Sequence, residues 1–117
     1  MVYIVMWLDD VREPDYSWNR WVKPDDMVNI LWYKSVNEAT SAYRTLRDLV
    51  YAQIIIDLDH DAGDYALQGG DYIKFLDWLE ATYPMDFPNI AWRIHSMNPV
   101  GIANMKQILE RNGAYLK

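Results

Sequence analysis

Residues 1–8 are apolar without a break and run straight into Asp9-Asp10. Within them Val2–Leu8 is rich in β-formers and apolar at both odd and even positions. That is the pattern of a strand buried on both faces of a parallel sheet, not of a half-exposed hairpin strand. The run is far too short to span a membrane and lacks the basic flank of a signal peptide. The expected compartment is therefore the cytoplasm.

The rest of the chain supplies partners for such a strand. Residues 28–33, 53–56 and 90–95 read as three further strands. Ser35 caps a helix, with Glu38 three residues later forming a capping box, and Ala39, Tyr43, Leu46 and Val50 recur along it at helical spacing. Asp71 is expected to cap a second helix with the stripe Ile73, Leu76, Leu79 and Tyr83. Asn98-Pro99 opens a third, with Ile102, Met105, Ile108 and Leu109 as its stripe and Asn112-Gly113 as its stop. Residues 11–27 are irregular, broken by Pro14 and Pro24, yet carry Tyr16, Trp18 and Trp21. The order β, loop, β, α, β, α, β, α predicts one α/β domain over residues 1–117, with no linker or repeat to divide it.

Composition limits the partners. Asp and Glu outnumber Lys and Arg 17 to 11, a net charge of -6. A surface that displaces phosphate counterions along a duplex needs the opposite balance, so bulk nucleic-acid binding is not expected. There is no Cys, which removes disulfides, thiolate catalysis and Cys-based zinc sites. In parallel α/β folds ligands sit beyond the carboxyl ends of the strands. Here those ends hold Asp9-Asp10, Asp59-His60-Asp61 and His95-Ser96, with both histidines of the protein among them.

Three stretches carry a family likeness: Leu8-Asp9-Asp10-Val11-Arg12-Glu13-Pro14, Leu58-Asp59-His60-Asp61-Ala62-Gly63 and His95-Ser96-Met97-Asn98-Pro99-Val100-Gly101. They resemble the signatures of cyclic-phosphate-processing receiver-like domains, relatives of the response-regulator receiver. The resemblance implies a flavodoxin/receiver-like three-layer fold with strand order 2-1-3-4. The first helix would be degenerate, and the fifth strand and last helix missing or rudimentary. It also implies processing of cyclic phosphates on nucleotides or RNA ends. Asp9 and Asp10 match the acidic pair that holds Mg²⁺. Asp59 stands where the phospho-acceptor would be, with Asp57 as a rival, and Ser96 matches the hydroxyl residue after the fourth strand. Receivers also carry a Lys after a fifth strand. Here only Lys117 follows, so phosphorelay signalling is not expected.

Read as chemistry, Asp9, Asp10 and Asp59 at neighbouring strand ends, roughly 4.8 Å apart, could share one hard cation, Mg²⁺ or Mn²⁺. The plainer reading of Asp9 or Asp10 is a cap where the chain leaves the sheet. The alternation Asp57, Asp59, Asp61 is no EF-hand, since its sixth and twelfth positions would be Ala62 and Gln68. His60 and His95 are candidate base and acid for opening a cyclic phosphate, with Asp59 orienting His60. A lone histidine at a strand end is more often structural. Arg12, Ser96, Asn98 and Gly101 are the candidate phosphate group: Arg12 by a bidentate contact, the others through the helix start. Arg12 could equally be a counter-ion for Asp10 or Asp59. The expected ligand is a small cyclic-phosphate nucleotide or RNA end. Right-handed crossovers in order 2-1-3-4 would put all three helices on one face. Residues 11–27 and the tail 114–116 are expected to cover the other, with a homodimer as a possible helper. Tyr16, Trp18 and Trp21 would then pack there, though they could instead stack on a base.

Overall fold

A computed structural model describes residues 1–14, 22–114 and 116; Tyr16, Trp18, Trp21 and Lys117 lie outside them. The strands are β1 (Val2–Leu8), β2 (Met27–Tyr33), β3 (Ala52–Leu58) and β4 (Ala91–Ile94), and the helices α1 (Val36–Leu46), α2 (Ile73–Thr82) and α3 (Pro99–Arg111). Short 3₁₀ turns occupy Gly63–Leu67 and Pro84–Asn89. All pairings are parallel, and the sheet order is β2-β1-β3-β4. This is the receiver-like order. A single parallel bridge from Trp92 to Leu116 is what remains of a fifth strand. No helix among the described residues is long and apolar enough to cross a membrane.

Register is what builds the functional end. Leu8 pairs with Leu58, and Leu58 with Ile94, so these residues share one rank across the sheet. The next residues, Asp9, Asp59 and His95, therefore leave the sheet side by side. The ladder carries on through them: Asp59 N donates to Leu8 O at 2.9 Å and His95 N to Leu58 O at 3.1 Å.

Alternation along the strands sorts the core into two faces. Met6, Leu8, Ile54, Ile56, Leu58 and Trp92 meet Val36, Ala39 and Tyr43 of α1, Phe75, Leu76 and Leu79 of α2, and Met105, Ile108 and Leu109 of α3. Burying each such large apolar side chain contributes about 1.5–3 kcal/mol. The opposite face carries Val5 and Ile55, with Tyr3, Val22, Val28, Ile30 and Ala91 packed against them. All three helices lie on the first face, as crossover handedness requires.

The helix starts follow the sequence. Ser35 Oγ accepts from Glu38 N, and Asn98 Oδ1 accepts from Gly101 N. Four details differ. Val50 lies beyond the end of α1 and is fully exposed, because the chain turns after Leu46. β3 runs two residues past 56, which places Asp57 inside the strand. Asp71 does not cap α2; its carboxylate accepts from Ala62 N and ties down the intervening loop. Ala114 is buried in the helix-side core and Leu116 bridges the β4 edge, so these tail residues extend the sheet and do not cover its other face.

α2 and α3 are clasped at their carboxyl ends. Glu80 accepts from Arg111 Nε and Nη2, each at 2.7 Å, and from Asn112 Nδ2 at 2.6 Å. The Arg111 bonds first, and Asn112 second, hold the Glu80 carboxyl down at about 2, against an ordinary 4.5. A depressed carboxyl stabilises the fold above its unfolded value and loses that contribution as pH falls toward the folded one. Urea midpoints of the parent should therefore fall relative to Glu80→Gln between pH 4.5 and 2, and parallel curves across that window would contradict the clasp.

Candidate functional site

The site begins with the first residue out of β1. Asp9 is 2% exposed. Its Oδ1 accepts from Val11 N at 3.0 Å and Arg12 N at 2.8 Å, which turns the chain sharply off the sheet. Trp32 Nε1 donates to its carbonyl at 2.7 Å. The capping role is thus real. Asp9 Oδ2 meets His95 Nε2 at 2.8 Å.

His95 has a second carboxylate on its other side. Nδ1 lies 2.7 Å from Asp57 Oδ1, and its ring stacks on Trp7 at 3.9 Å and 5°. The His95 side chain is 6% exposed and that of Asp57 fully buried. Trp7, Asp57 and Arg93 share one cross-strand rank, which is why they meet. With a carboxylate acceptor at each nitrogen, both contacts are satisfied when the ring donates from both.

His60 is built differently. Its backbone N–H donates to Asp59 Oδ1 at 2.8 Å. Its ring Nδ1 lies 2.7 Å from Asp61 Oδ1 and 3.4 Å from Asn98 Nδ2. The shorter contact sets the tautomer: Nδ1 donates to the carboxylate. Nε2 has no hydrogen-bond partner among the described residues, and in the neutral ring with Nδ1–H it carries the lone pair. The orienting carboxylate is thus Asp61, whereas Asp59 was expected. Of the two carboxylates that flank His60 in the sequence, it is the one that follows it that holds the ring.

Ligand oxygens of Asp9, Asp10 and Asp59 lie within 4.8 Å of one another, so this cluster could hold a metal ion. Burial first, and then the Asp9 and Asp59 carboxylates, raise the Asp10 carboxyl above its ordinary value. The same three acids, after burial, push the Tyr72 phenol up. A hard divalent cation fits this donor set and offsets its surplus charge. The members are unequal. Both lone pairs of Asp9 Oδ1 and one of Oδ2 are already used, so Asp10 and Asp59 have more to offer. Gly63, at φ +54°, lies against Asp10, where a Cβ would overlap Oδ2.

The candidate phosphate residues surround a cleft of about 320 Å³ lined by Asp9, Val11, Arg12, Asp59, Asp61, His95, Ser96, Met97 and Asn98. Arg12 is exposed and its Nη1 donates to His95 O at 3.2 Å, not to Asp10 or Asp59. Ser96 Oγ accepts from Asn98 N at 3.1 Å. Gly101 is not a lining residue, and its N–H is taken by the Asn98 cap, so it does not offer a donor. Its contribution is space: a Cβ there would stand 2.5 Å from Cγ and Cδ2 of His60. His60 and Asp10 are not lining residues; His60 touches the cleft through its contacts with Asp61 and Asn98.

A family model described as the cyclic-phosphate processing receiver domain matches residues 4–111. Searches of curated proteins and of solved structures found no match.

Gly101 provides a test of the His60 seat. In an open helical position Gly→Ala stabilises by about 1 kcal/mol. Against a packed ring it should instead cost about 1–3 kcal/mol and displace His60. Urea unfolding of Gly101→Ala, with the His60 ring signals followed by NMR, is expected to show both; a stabilised variant with an unmoved ring would contradict the contact.

Proposed function

The chain belongs to the family of cyclic-phosphate processing receiver domains, and we propose that it hydrolyses a cyclic phosphodiester carried by a nucleotide or an RNA end. The observation that carries this reading is the contrast between the two histidines. His60 has Nδ1–H spent on Asp61 and a bare Nε2. His95 lines the cleft and has a carboxylate oxygen at each ring nitrogen, Asp57 at Nδ1 and Asp9 at Nε2. This contrast supports His60 as the base and His95 as the acid.

In the proposed step, water attacks phosphorus and its proton passes to Nε2 of His60. The ring P–O bond breaks, and the leaving oxygen takes the Nε2 proton of His95 that Asp9 had held. The products are a phosphomonoester and a free hydroxyl, and exchange with solvent resets both rings. Asp61 keeps His60 in the tautomer that can accept. Arg12 and Ser96, which line the cleft, would meet the phosphoryl oxygens, and Asn98 caps the helix start and touches His60. Such a negative substrate needs compensating charge in an acidic cleft, and Arg12 supplies part of it. A divalent cation such as Mg²⁺ or Mn²⁺, held chiefly by Asp10 and Asp59, would add Lewis-acid charge at the phosphoryl oxygens.

The test is direct. Cyclic mononucleotides and RNA with a cyclic-phosphate end are incubated with the protein, with Mg²⁺ or with a chelator, and monoester formation is followed by ³¹P NMR. Turnover is expected, with His60→Ala and His95→Ala each lowering kcat at least ~100-fold while the fold persists. Arg12→Ala should act mainly by raising KM. No hydrolysis of any member, or a double histidine variant as active as the parent, would leave a non-catalytic binding module as the reading.

A further inference from the structure

Asp57 is a fully buried carboxylate that the proposed chemistry does not use. Its strand neighbours on that face, Val5 and Ile55, are apolar, and a carboxylate there carries a desolvation cost that an apolar residue would avoid. Oδ1 meets His95 Nδ1 at 2.7 Å. Oδ2 accepts no hydrogen bond among the described residues, with Arg93 Nε 3.7 Å away. The desolvation is therefore only partly compensated.

The group that profits is two contacts away. Arg12 is held at three points: its N–H by Asp9 Oδ1 at 2.8 Å, its C=O by Trp7 Nε1 at 2.8 Å, and its guanidinium by the His95 carbonyl at 3.2 Å. All three holders belong to one stack. The His95 ring lies flat on Trp7, and its Nε2 fixes Asp9. Asp57, like Trp7, does not line the cleft; it meets the His95 ring at Nδ1, the nitrogen that does not face Asp9.

We propose that Asp57 is a positioning residue: by gripping His95 Nδ1 it locks the His95–Trp7–Asp9 stack, and the stack in turn fixes Arg12 at the cleft. The locking follows from the contacts alone. That the locked Arg12 meets a phosphate rests on the reading in the preceding subsection.

The experiment uses the full chain without ligand. Hydrogen exchange of the Val11 and Arg12 amides is compared with that of Met6 and Ile56 in the parent and in Asp57→Asn. Exchange at Val11 and Arg12 should accelerate at least tenfold more than in the strands. An equal change everywhere, or none, overturns the proposal, because a merely structural Asp57 loosens the sheet as a whole. Should Asp57→Asn fail to fold, His95→Gln, which drops the bond to Asp57 and keeps a donor for Asp9, takes its place with the same criterion.

Inorganic phosphate then serves as the probe of Arg12. Asp57→Asn should weaken phosphate binding about tenfold in the parent and have no effect in an Arg12→Ala background, which is the signature of action through Arg12. Equal weakening in both backgrounds also overturns the proposal. Selective exchange without any phosphate binding by the parent would uphold the positioning role and bring down the phosphate reading instead.

Discussion

The structure depends on one register. Because β1, β3 and β4 pair so that Leu8, Leu58 and Ile94 fall on a common rank, their successors emerge together. A slip of one residue would turn Asp57 to the helix-side core and separate Asp9 from His95. What opposes the slip is the buried Asp57 carboxylate, which would then be stranded in that apolar core without His95. Core packing and site geometry are therefore set by the same pairing.

What the register assembles is an unusual concentration of negative charge. Asp9, Asp10 and Asp59 crowd together, and Asp57 lies buried beside them. Burial first, and then this crowding, raises both the Asp10 carboxyl and the Tyr72 phenol. The compensating groups are His95 between two carboxylates, backbone N–H groups on Asp9, and Arg12 at the rim. Repulsion among these carboxylates would be relieved by a bound cation.

Much of this was legible in the residues. The uninterrupted Val2–Leu8 run, the Ser35 and Asn98 caps and the strand-helix alternation gave the architecture, and the polar strand ends marked the rim. The internal wiring was not. In residues 54–58 both faces are apolar apart from Asp57, so period-two alternation could not place that residue inside the strand or on the helix-free face. Nor could the linear order of Asp59-His60-Asp61 tell which carboxylate reaches the ring; Asp59 Oδ1 turns back to accept from His60 N, and Asp61 Oδ1 meets the ring. Gly101 looked like a phosphate-binding amide, whereas the Asn98 cap takes its N–H and the His60 ring takes its missing side chain.

The central claim is that a scissile phosphate bound in the cleft meets His95 and Arg12 of its lining and is reached by Nε2 of His60, which stands beside the lining residues Asp61 and Asn98. A crystal structure with a slowly hydrolysed cyclic nucleotide phosphorothioate tests it most directly. The account predicts the phosphorus inside the cleft, within hydrogen-bond reach of the Arg12 guanidinium, with its oxygens flanked by His60 Nε2 on one side and the His95 ring on the other. A ligand seated elsewhere on the protein, or in the cleft with the His60 ring turned away from it, would contradict the account.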